Sequence, residues 1–196
     1  MRTRHPILLT AGIGVPLLTL GAILADPVIA ASPTQELWVT VALGHLVHWL
    51  DLLTGKKLSL SGPVIVLAAL AINIWRKQAR FRGPMIYVGL TQLLSAAIAD
   101  LSKPLFERKR PFQTEVDIWF AGPDFGSFPS GHTAFYFGLF VPLAMLFPRW
   151  TPALLVIPVL VGAERILSHD HYATDVAASI LLVLIMAWVL RPIARR

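Results

Sequence analysis

Six apolar stretches without charged residues recur along the chain, a pattern typical of a protein with several membrane-spanning helices. They cover residues 6–25, 58–75, 83–99, 133–148, 150–163 and 176–190. About 20 apolar residues in a helix cross the ~30 Å hydrocarbon core of a bilayer. The last three stretches are shorter, so the charged residues at their ends must lie inside the bundle and face one another.

We therefore predict an all-α, polytopic membrane protein in which six transmembrane helices form a single domain over residues 1–196. The predicted spans are about 6–25, 58–75, 83–102, 132–148, 150–164 and 174–190. A cleavable signal peptide is the alternative for the first span. The apolar run is long for a signal peptide and Ala25-Asp26-Pro27 is a poor cleavage site, which favours a retained span.

Residues 35–54 show a different pattern, because polar residues recur every three or four positions among Leu, Val and Trp. This spacing predicts an amphipathic helix. We expect it to lie in the membrane interface as an extra helix, with its two tryptophans at headgroup level. His45, His48 and Asp51 share one face of this helix. A wet polar stripe is a simpler interpretation of that face than a metal site.

The composition supports a membrane protein. Of the 196 residues, 56% are hydrophobic and only 14% are charged, which excludes an ordinary soluble domain. The net charge of +6 does not indicate nucleic acid binding, because the basic residues lie between the apolar stretches and not on a polar domain rich in aromatic residues. The absence of cysteine excludes disulfides and thiolate metal ligands.

The basic residues also predict the topology, since six spans leave both termini on one side of the membrane. The side of the termini carries Arg2, Arg4, Arg76, Lys77, Arg80, Arg82, Arg149, Arg191, Arg195 and Arg196. By the positive-inside rule, this side is cytoplasmic. Topology does not explain the cations of the opposite side, which include Lys103, Arg110 and Arg165.

The segment Phe128-Pro129-Ser130-Gly131-His132-Thr133 directly precedes an apolar run. If that run is a helix, the amides of Ser130, Gly131 and His132 are first-turn donors at the positive end of the helix dipole, where an anion binds readily. Gly131 lets an oxyanion approach the backbone closely. An ordinary helix-start signal is the alternative.

Two further clusters carry candidate chemistry. Lys103 and Arg110 lie seven residues apart, so a short helix that begins at Pro104 would turn both cations the same way. Ordinary juxtamembrane charge is the alternative there. In the other cluster, Asp175 follows His171 by four residues at a helix start, where it can orient the imidazole and stabilise its protonated or phosphorylated form.

A metal site is the alternative for the last cluster, formed by His132, His169, Asp170, His171 and Asp175. The neighbouring cations would repel a metal ion and suit an anion. The three clusters together therefore fit phosphoryl transfer through a covalent histidine better than a metal site, and we expect no cofactor.

The motifs Lys103-x6-Arg110-Pro111, Pro129-Ser130-Gly131-His132 and Arg165-x5-His171-x3-Asp175 resemble, in order and spacing, the three signature motifs of the type 2 phosphatidic acid phosphatase (PAP2) family. The resemblance covers about residues 58–190. It implies a six-helix membrane phosphatase that acts on lipid phosphates or diphosphates without a metal.

The resemblance also implies a role for each motif residue. His171 would be the nucleophile and Asp175 would orient it. His132 would protonate the departing lipid oxygen and then activate a water molecule. The phosphate oxygens would be held by Lys103, Arg110, Arg165 and the amides at Ser130 and Gly131.

Glu164 departs from the family pattern, in which Ser or another small residue precedes the arginine of the third motif. A carboxylate about 6 Å from a phosphate oxygen would cost about 3 kcal/mol per unit charge at a dielectric near 20. We therefore expect Glu164 to point away from the phosphate and to steady Arg165 or Lys109. Pointing outward, it could reach a polar group of the lipid headgroup.

The leading hypothesis is an enzyme of lipid metabolism in a bacterial inner membrane, with cytoplasmic termini and its site on the periplasmic or extracellular face. Candidate substrates are undecaprenyl diphosphate, phosphatidylglycerol phosphate, phosphatidic acid and the 1-phosphate of lipid A. A phosphotransferase that uses the same phosphohistidine is one alternative. A non-catalytic lipid-phosphate-binding protein is another, and it would need the cations but neither His171 nor Asp175.

Overall fold

The computed structural model describes residues 23–56, 64, 68, 79–113, 119–122 and 125–195. Five α-helices lie in these ranges: α1 (Trp38–Thr54), α2 (Ala79–Phe106), α3 (Gly131–Leu146), α4 (Thr151–Leu167) and α5 (Ala173–Leu190). Short 3-10 helices cover Thr34–Glu36, Pro111–Gln113, Pro148–Trp150 and Arg191–Arg195, and residues 23–30 are also helical. The described ranges contain no strand, so the prediction of an all-α protein is confirmed.

Three helical stretches of the described chain are long and apolar enough to cross a membrane. They are Arg82–Gln113, Pro148–Leu167 and Ala173–Arg195, and α3 is apolar but shorter, with 16 residues. The spans predicted at 6–25 and 58–75 lie outside the described residues, apart from 23–25, 64 and 68. The helical membrane character of the chain is therefore supported, whereas the number of six spans stays a prediction.

The helix α3 is central to the bundle and packs against α2, α4 and α5. Its apolar residues lie on all of its faces, as expected for a helix that is enclosed by protein. One core cluster joins Phe135 and Tyr136 of α3 with Val47 of α1 and Val161 of α4, and a second joins α3 with α2 and α5. The start of α3 is therefore fixed relative to all four of the other helices.

The helix that was expected to begin at Pro104 does not form, and this prediction is wrong. Instead, α2 continues through Lys103 and Pro104 to Phe106, and Glu107 then leaves the helix with a φ of +44°. Proline removes only one hydrogen bond from the last turn, and the amide of Glu107 still donates to the carbonyl of Lys103 at 3.0 Å. Lys103 therefore belongs to the end of α2, whereas Arg110 lies in the loop that follows it.

We expect Gly138→Ala to loosen the contact between α3 and α2. A Cβ atom at Gly138 would lie 2.9 Å from the Cα of Gln92, and this backbone atom cannot turn aside. Overpacking of this kind costs about 1–3 kcal/mol, so the variant should unfold at a lower temperature in detergent.

The matched control is Gly162→Ala, whose added Cβ would meet a methyl group of Val176 at 3.3 Å. That side chain can move, so the loss should be smaller than for Gly138→Ala. Equal melting temperatures for the two variants would contradict the close contact at Gly138.

Candidate active site

The three motifs meet at the end of the bundle where α3 and α5 begin. Ser130 is the N-cap of α3, and Asp175 lies in the first turn of α5. The Ser130 amide donates to the carbonyl of Asp175 at 3.3 Å, and the His171 amide donates to the carbonyl of Arg165 at 3.0 Å. A Cβ on Gly131 would lie 3.3 Å from Lys103 Nζ, which brings the end of α2 to the same place.

His171 lies just before α5 and is only 3% exposed. Its Nδ1 is 3.4 Å from Oδ2 of Asp175, a contact expected from their four-residue spacing, but the two atoms are too poorly aligned for a hydrogen bond. Asp175 Oδ2 also accepts a hydrogen bond of 3.0 Å from the Tyr172 amide, which fixes the carboxylate at the helix start. Burial lowers the pKa of His171 below its ordinary value, although Asp175 opposes this effect. The imidazole is therefore neutral at pH 7, the state in which a histidine can act as a nucleophile.

Arg108 is a residue of the site that the sequence analysis missed. It is 1% exposed and forms an ion pair with Oδ1 of Asp175, whose other oxygen accepts from Ser127 Oγ. The guanidinium lies 3.9 Å from the ring centre of Tyr172 and 4.5 Å from that of Trp119. Asp175 is thus held by a buried cation as well as by the histidine it was expected to orient.

Asp26 is the second carboxylate on Arg108. Its Oδ2 lies 3.2 Å from Arg108 Nη2, and its Oδ1 accepts from the Thr174 amide at 3.1 Å at the start of α5. A chain of polar contacts therefore runs from Asp26 through Arg108 and Asp175 to His171. The sequence did contain a signal for this contact. Asp26 directly follows an apolar stretch of membrane length, and an acidic residue in that position needs a partner.

Arg110 and Arg165 are brought together by Asp170. Asp170 Oδ2 lies 2.8 Å from Arg165 Nη1, and its Oδ1 lies 3.4 Å from Arg110 Nη1. The two guanidinium groups therefore converge on Asp170, the residue before His171, and the charge of Arg110 contributes to lowering the pKa of His171. Paired guanidinium groups match the oxygen atoms of a phosphate well.

Lys103 and the start of α3 form the other side of the site. Lys103 Nζ lies 2.7 Å from Asp100 Oδ1, and a Cβ on Gly131 would come within 2.5 Å of the same oxygen, so only glycine fits there without a shift. The Ser130 amide is engaged by Asp175, whereas the amides of Gly131 and His132 have no hydrogen-bond acceptor within the described residues. Gly131 and His132 thus offer donors to an anion, and phosphate binding by Ser130 stays a prediction.

The polar stripe of α1 differs from expectation at Asp51. His45 and His48 are exposed, but the side chain of Asp51 is only 12% exposed and faces α3. Asp51 Oδ2 lies 2.9 Å from Nε2 of His132, and its Oδ1 accepts from the hydroxyl of Tyr136 at 2.8 Å. The stripe is therefore only partly exposed to solvent, because the carboxylate of Asp51 lies in the site.

Glu164 contacts Arg165, one of the two cations that it was expected to steady. Its Oε2 accepts a hydrogen bond from Arg165 Nε, and its Oε1 lies 3.8 Å from where a Cβ on Gly44 would be. The carboxylate is 3% exposed beneath α1. The expectation that it could reach a lipid headgroup is therefore wrong, because α1 covers it.

The alternative metal set does not assemble. His132 pairs with Asp51, and His169 Nε2 lies 2.9 Å from the hydroxyl of Thr34. Within the described ranges, no three His, Asp or Glu side chains are placed to hold one ion. The geometry at His171 is instead that of a histidine with one carboxylate and nearby cations.

The fold and the site together define a helical membrane protein with a histidine–carboxylate pair beside converging cations. This chain belongs to the PAP2 superfamily, whose sequence model matches residues 84–196, more than half of its length. The match contains all three motifs and confirms the resemblance drawn from them.

Similar proteins from three bacteria give a finer comparison. Lipid A 1-phosphatase from Rhizobium johnstonii is 30% identical across 53% of this chain and 48% of its own length, and the same enzyme from Rhizobium etli is 30% identical across 53% and 50%. The bacitracin transport permease protein BcrC from Bacillus licheniformis is 31% identical across 68% of this chain and 71% of its own length. The chain thus spans about half the length of the two lipid A 1-phosphatases. No solved structure matches it significantly.

We expect Arg108→Met to destabilise the protein by about 3–5 kcal/mol, because it leaves the carboxylates of Asp26 and Asp175 buried without their cation. Chemical unfolding in detergent measures the loss. Arg149→Met is the matched control, since Arg149 is exposed and should tolerate the change. Unfolding of both variants at the wild-type denaturant concentration would refute a structural role for the buried pair.

Proposed function

We propose that this protein is a membrane phosphatase that hydrolyses a lipid phosphate or diphosphate through a phosphohistidine. The observation that carries the proposal is the buried His171–Asp175 pair beside the converging guanidinium groups of Arg110 and Arg165. Membership of the PAP2 superfamily and the names of the two rhizobial relatives support a phosphatase.

In the first half of the reaction, Nε2 of neutral His171 attacks phosphorus and the bond from phosphorus to the lipid oxygen breaks. The imidazole gains positive charge as the N–P bond forms, and Asp175 stabilises that charge at Nδ1. His132 donates a proton to the departing lipid oxygen.

In the second half, His132 accepts a proton from a water molecule that attacks the phosphorus of the phosphohistidine. The N–P bond breaks, inorganic phosphate leaves and His171 is neutral again. Charge on the equatorial oxygens of both transition states is stabilised by preorganised donors. In this proposal they are Lys103, Arg110 and Arg165, together with the amides of Gly131 and His132. The three cations supply the positive charge that a metal ion provides in other phosphatases.

A lipid phosphotransferase would use the same first half and deliver the phosphoryl group to an acceptor other than water. A non-catalytic binder is less well supported, because it requires no buried carboxylate behind His171. Among the substrates, the 1-phosphate of lipid A is the first to test in view of the rhizobial relatives. Undecaprenyl diphosphate, phosphatidylglycerol phosphate and phosphatidic acid remain candidates.

The lipid would approach the site along α1, which in this proposal lies in the membrane interface. Trp49 and Leu53 are 63% and 81% exposed, respectively, whereas Asp51 between them contacts His132. One face of α1 can therefore contact acyl chains while the other reaches the site. With six spans and cytoplasmic termini, the site opens on the periplasmic or extracellular face of a bacterial inner membrane.

The reaction is tested by phosphate release from purified lipid A 1-phosphate, undecaprenyl diphosphate, phosphatidylglycerol phosphate and phosphatidic acid, each with and without a lipid acceptor. We expect wild-type protein to release phosphate from at least one lipid in the presence of a chelator. His171→Ala should abolish turnover, and His132→Ala should slow it by roughly two to four orders of magnitude.

Exposed His45→Ala is the matched control and should retain wild-type turnover. Transfer to the added lipid without release of phosphate would favour the phosphotransferase. Loss of activity with chelator and recovery with zinc would overturn the metal-free mechanism, and binding of lipid phosphate without turnover would favour the binder.

The proposed topology predicts opposite labelling of two exposed positions, Gln113 and Arg149. Because the chain has no cysteine, Gln113→Cys and Arg149→Cys each introduce a single thiol. A membrane-impermeant thiol reagent applied to spheroplasts should label Gln113→Cys and spare Arg149→Cys, and permeabilised cells should label both. Labelling of Arg149→Cys alone in spheroplasts would invert the topology.

A further inference from the structure

A second histidine–carboxylate pair lies in the site, and α1 supplies its carboxylate. Asp51 Oδ2 is 2.9 Å from Nε2 of His132, and the two residues lie on different helices. Asp51 also lies outside residues 84–196, the part of the chain that matches the family model. The three motifs therefore do not define the pairing of His132 with this carboxylate.

The position of Asp51 is fixed by several contacts of α1. Tyr136, one turn after His132, donates its hydroxyl hydrogen to Asp51 Oδ1 at 2.8 Å. The Thr54 hydroxyl lies 3.2 Å from the same Tyr136 oxygen, and Val47 lies in the core with Phe135. The carboxylate is thus oriented on both oxygens by α3 and has little freedom to turn toward solvent.

The charge state of Asp51 follows from the same contacts. Burial alone would raise its pKa, but the hydrogen bond and the charge of His132, together with the Tyr136 hydroxyl, lower the pKa below its ordinary value. Asp51 is therefore ionised at neutral pH and acts only as a hydrogen-bond acceptor.

An ionised acceptor at Nε2 determines which nitrogen of His132 can react. A neutral imidazole carries its hydrogen on one nitrogen, and the hydrogen bond made by that nitrogen leaves the other one for chemistry. With Asp51 as acceptor, Nε2 carries the hydrogen and Nδ1 is available. A carboxylate in this position also stabilises the imidazolium, as in other acid–base histidines.

We propose that Asp51 is a positioning residue for His132, which it holds with Nε2–H toward α1 so that Nδ1 exchanges the proton with the substrate. This inference rests on the proposed phosphatase function, and it adds to that function the residue that orients the general acid His132.

The proton balance of the step is as follows. As the bond from His171 to phosphorus forms and the P–O bond breaks, the electron pair of that bond goes to the lipid oxygen, which takes the Nδ1 proton of the His132 imidazolium. His132 becomes neutral and keeps its Nε2–H on Asp51. When water attacks the phosphohistidine, Nδ1 takes a proton from that water, and the imidazolium is restored while Asp51 stays ionised throughout.

A role for Asp51 through His132 predicts a dependence on the leaving group. An alkyl phosphate must expel a strongly basic alkoxide, which needs the proton, whereas 4-nitrophenyl phosphate expels a weakly basic phenolate, which does not. Loss of the Asp51 charge should therefore slow formation of the phosphohistidine selectively for the alkyl ester, and a merely structural defect should slow it alike for both esters. The ratio kcat/KM is the quantity to compare, because it contains only the steps up to the phosphohistidine, whereas kcat also contains the water attack that both esters share.

The experiment compares wild-type protein with Asp51→Asn in detergent, using dodecyl phosphate and 4-nitrophenyl phosphate. For dodecyl phosphate we expect kcat/KM to fall roughly 10- to 100-fold, which is at or below the lower end of the range for general acid catalysis because His132 itself is still present. For 4-nitrophenyl phosphate we expect kcat/KM to fall less than about threefold. Glu36→Gln removes an exposed carboxylate just before α1 and is the matched control, with no change expected on either ester.

Other outcomes separate this inference from the proposed function. If the wild type is active and Asp51→Asn lowers kcat/KM equally for both esters, or for neither, then Asp51 is not a positioning residue. If the wild type releases phosphate from neither ester nor from any of the four lipids, the proposed function fails and this inference fails with it. If Asp51→Asn does not fold, Tyr136→Phe takes its place. It should slow dodecyl phosphate more than 4-nitrophenyl phosphate by roughly 3- to 10-fold. Without that difference the inference is wrong.

Discussion

The arrangement of the site depends on one buried cation, the guanidinium of Arg108. It lies between the carboxylates of Asp26 and Asp175 and stacks on two aromatic rings. Taking a charge out of water costs several kcal/mol unless its partners are held in place. The helical stretch 23–30, the loop after α2 and the start of α5 must therefore stay together. Because Asp175 is held in this way, it can in turn orient His171.

The other charges of the site are also paired within the protein. Lys103 contacts Asp100, Arg110 and Arg165 contact Asp170, and Arg165 also contacts Glu164. These carboxylates hold long, flexible side chains in one arrangement, which reduces the conformational entropy lost when an anion binds. A phosphate carries more charge than a single carboxylate and forms stronger charge-assisted hydrogen bonds with the same cations.

Local sequence was sufficient to predict a side-chain contact where the two partners are close in the chain. Ser130 caps α3, Asp175 lies against His171 and Glu164 contacts Arg165, as their spacings indicated. Local sequence was insufficient at Pro104. Proline is common in the first turn of a helix, but here the preceding helix α2 continues through it. There the last turn of α2 tolerates the loss of one hydrogen bond, and only the structure decides between the two.

The sequence by itself determined the class of the protein. Apolar stretches without charge dictate helices in a membrane, because backbone groups cannot be left unpaired in lipid, and three motifs in register indicate the chemistry. Only the tertiary structure decided which carboxylate serves each distant cation or histidine. Asp51 and His132 are 81 positions apart, and Asp26 and Arg108 are 82 apart. Such pairs depend on how helices pack, and no local pattern distinguishes the inward Asp51 from the exposed His48 on the same stripe of α1.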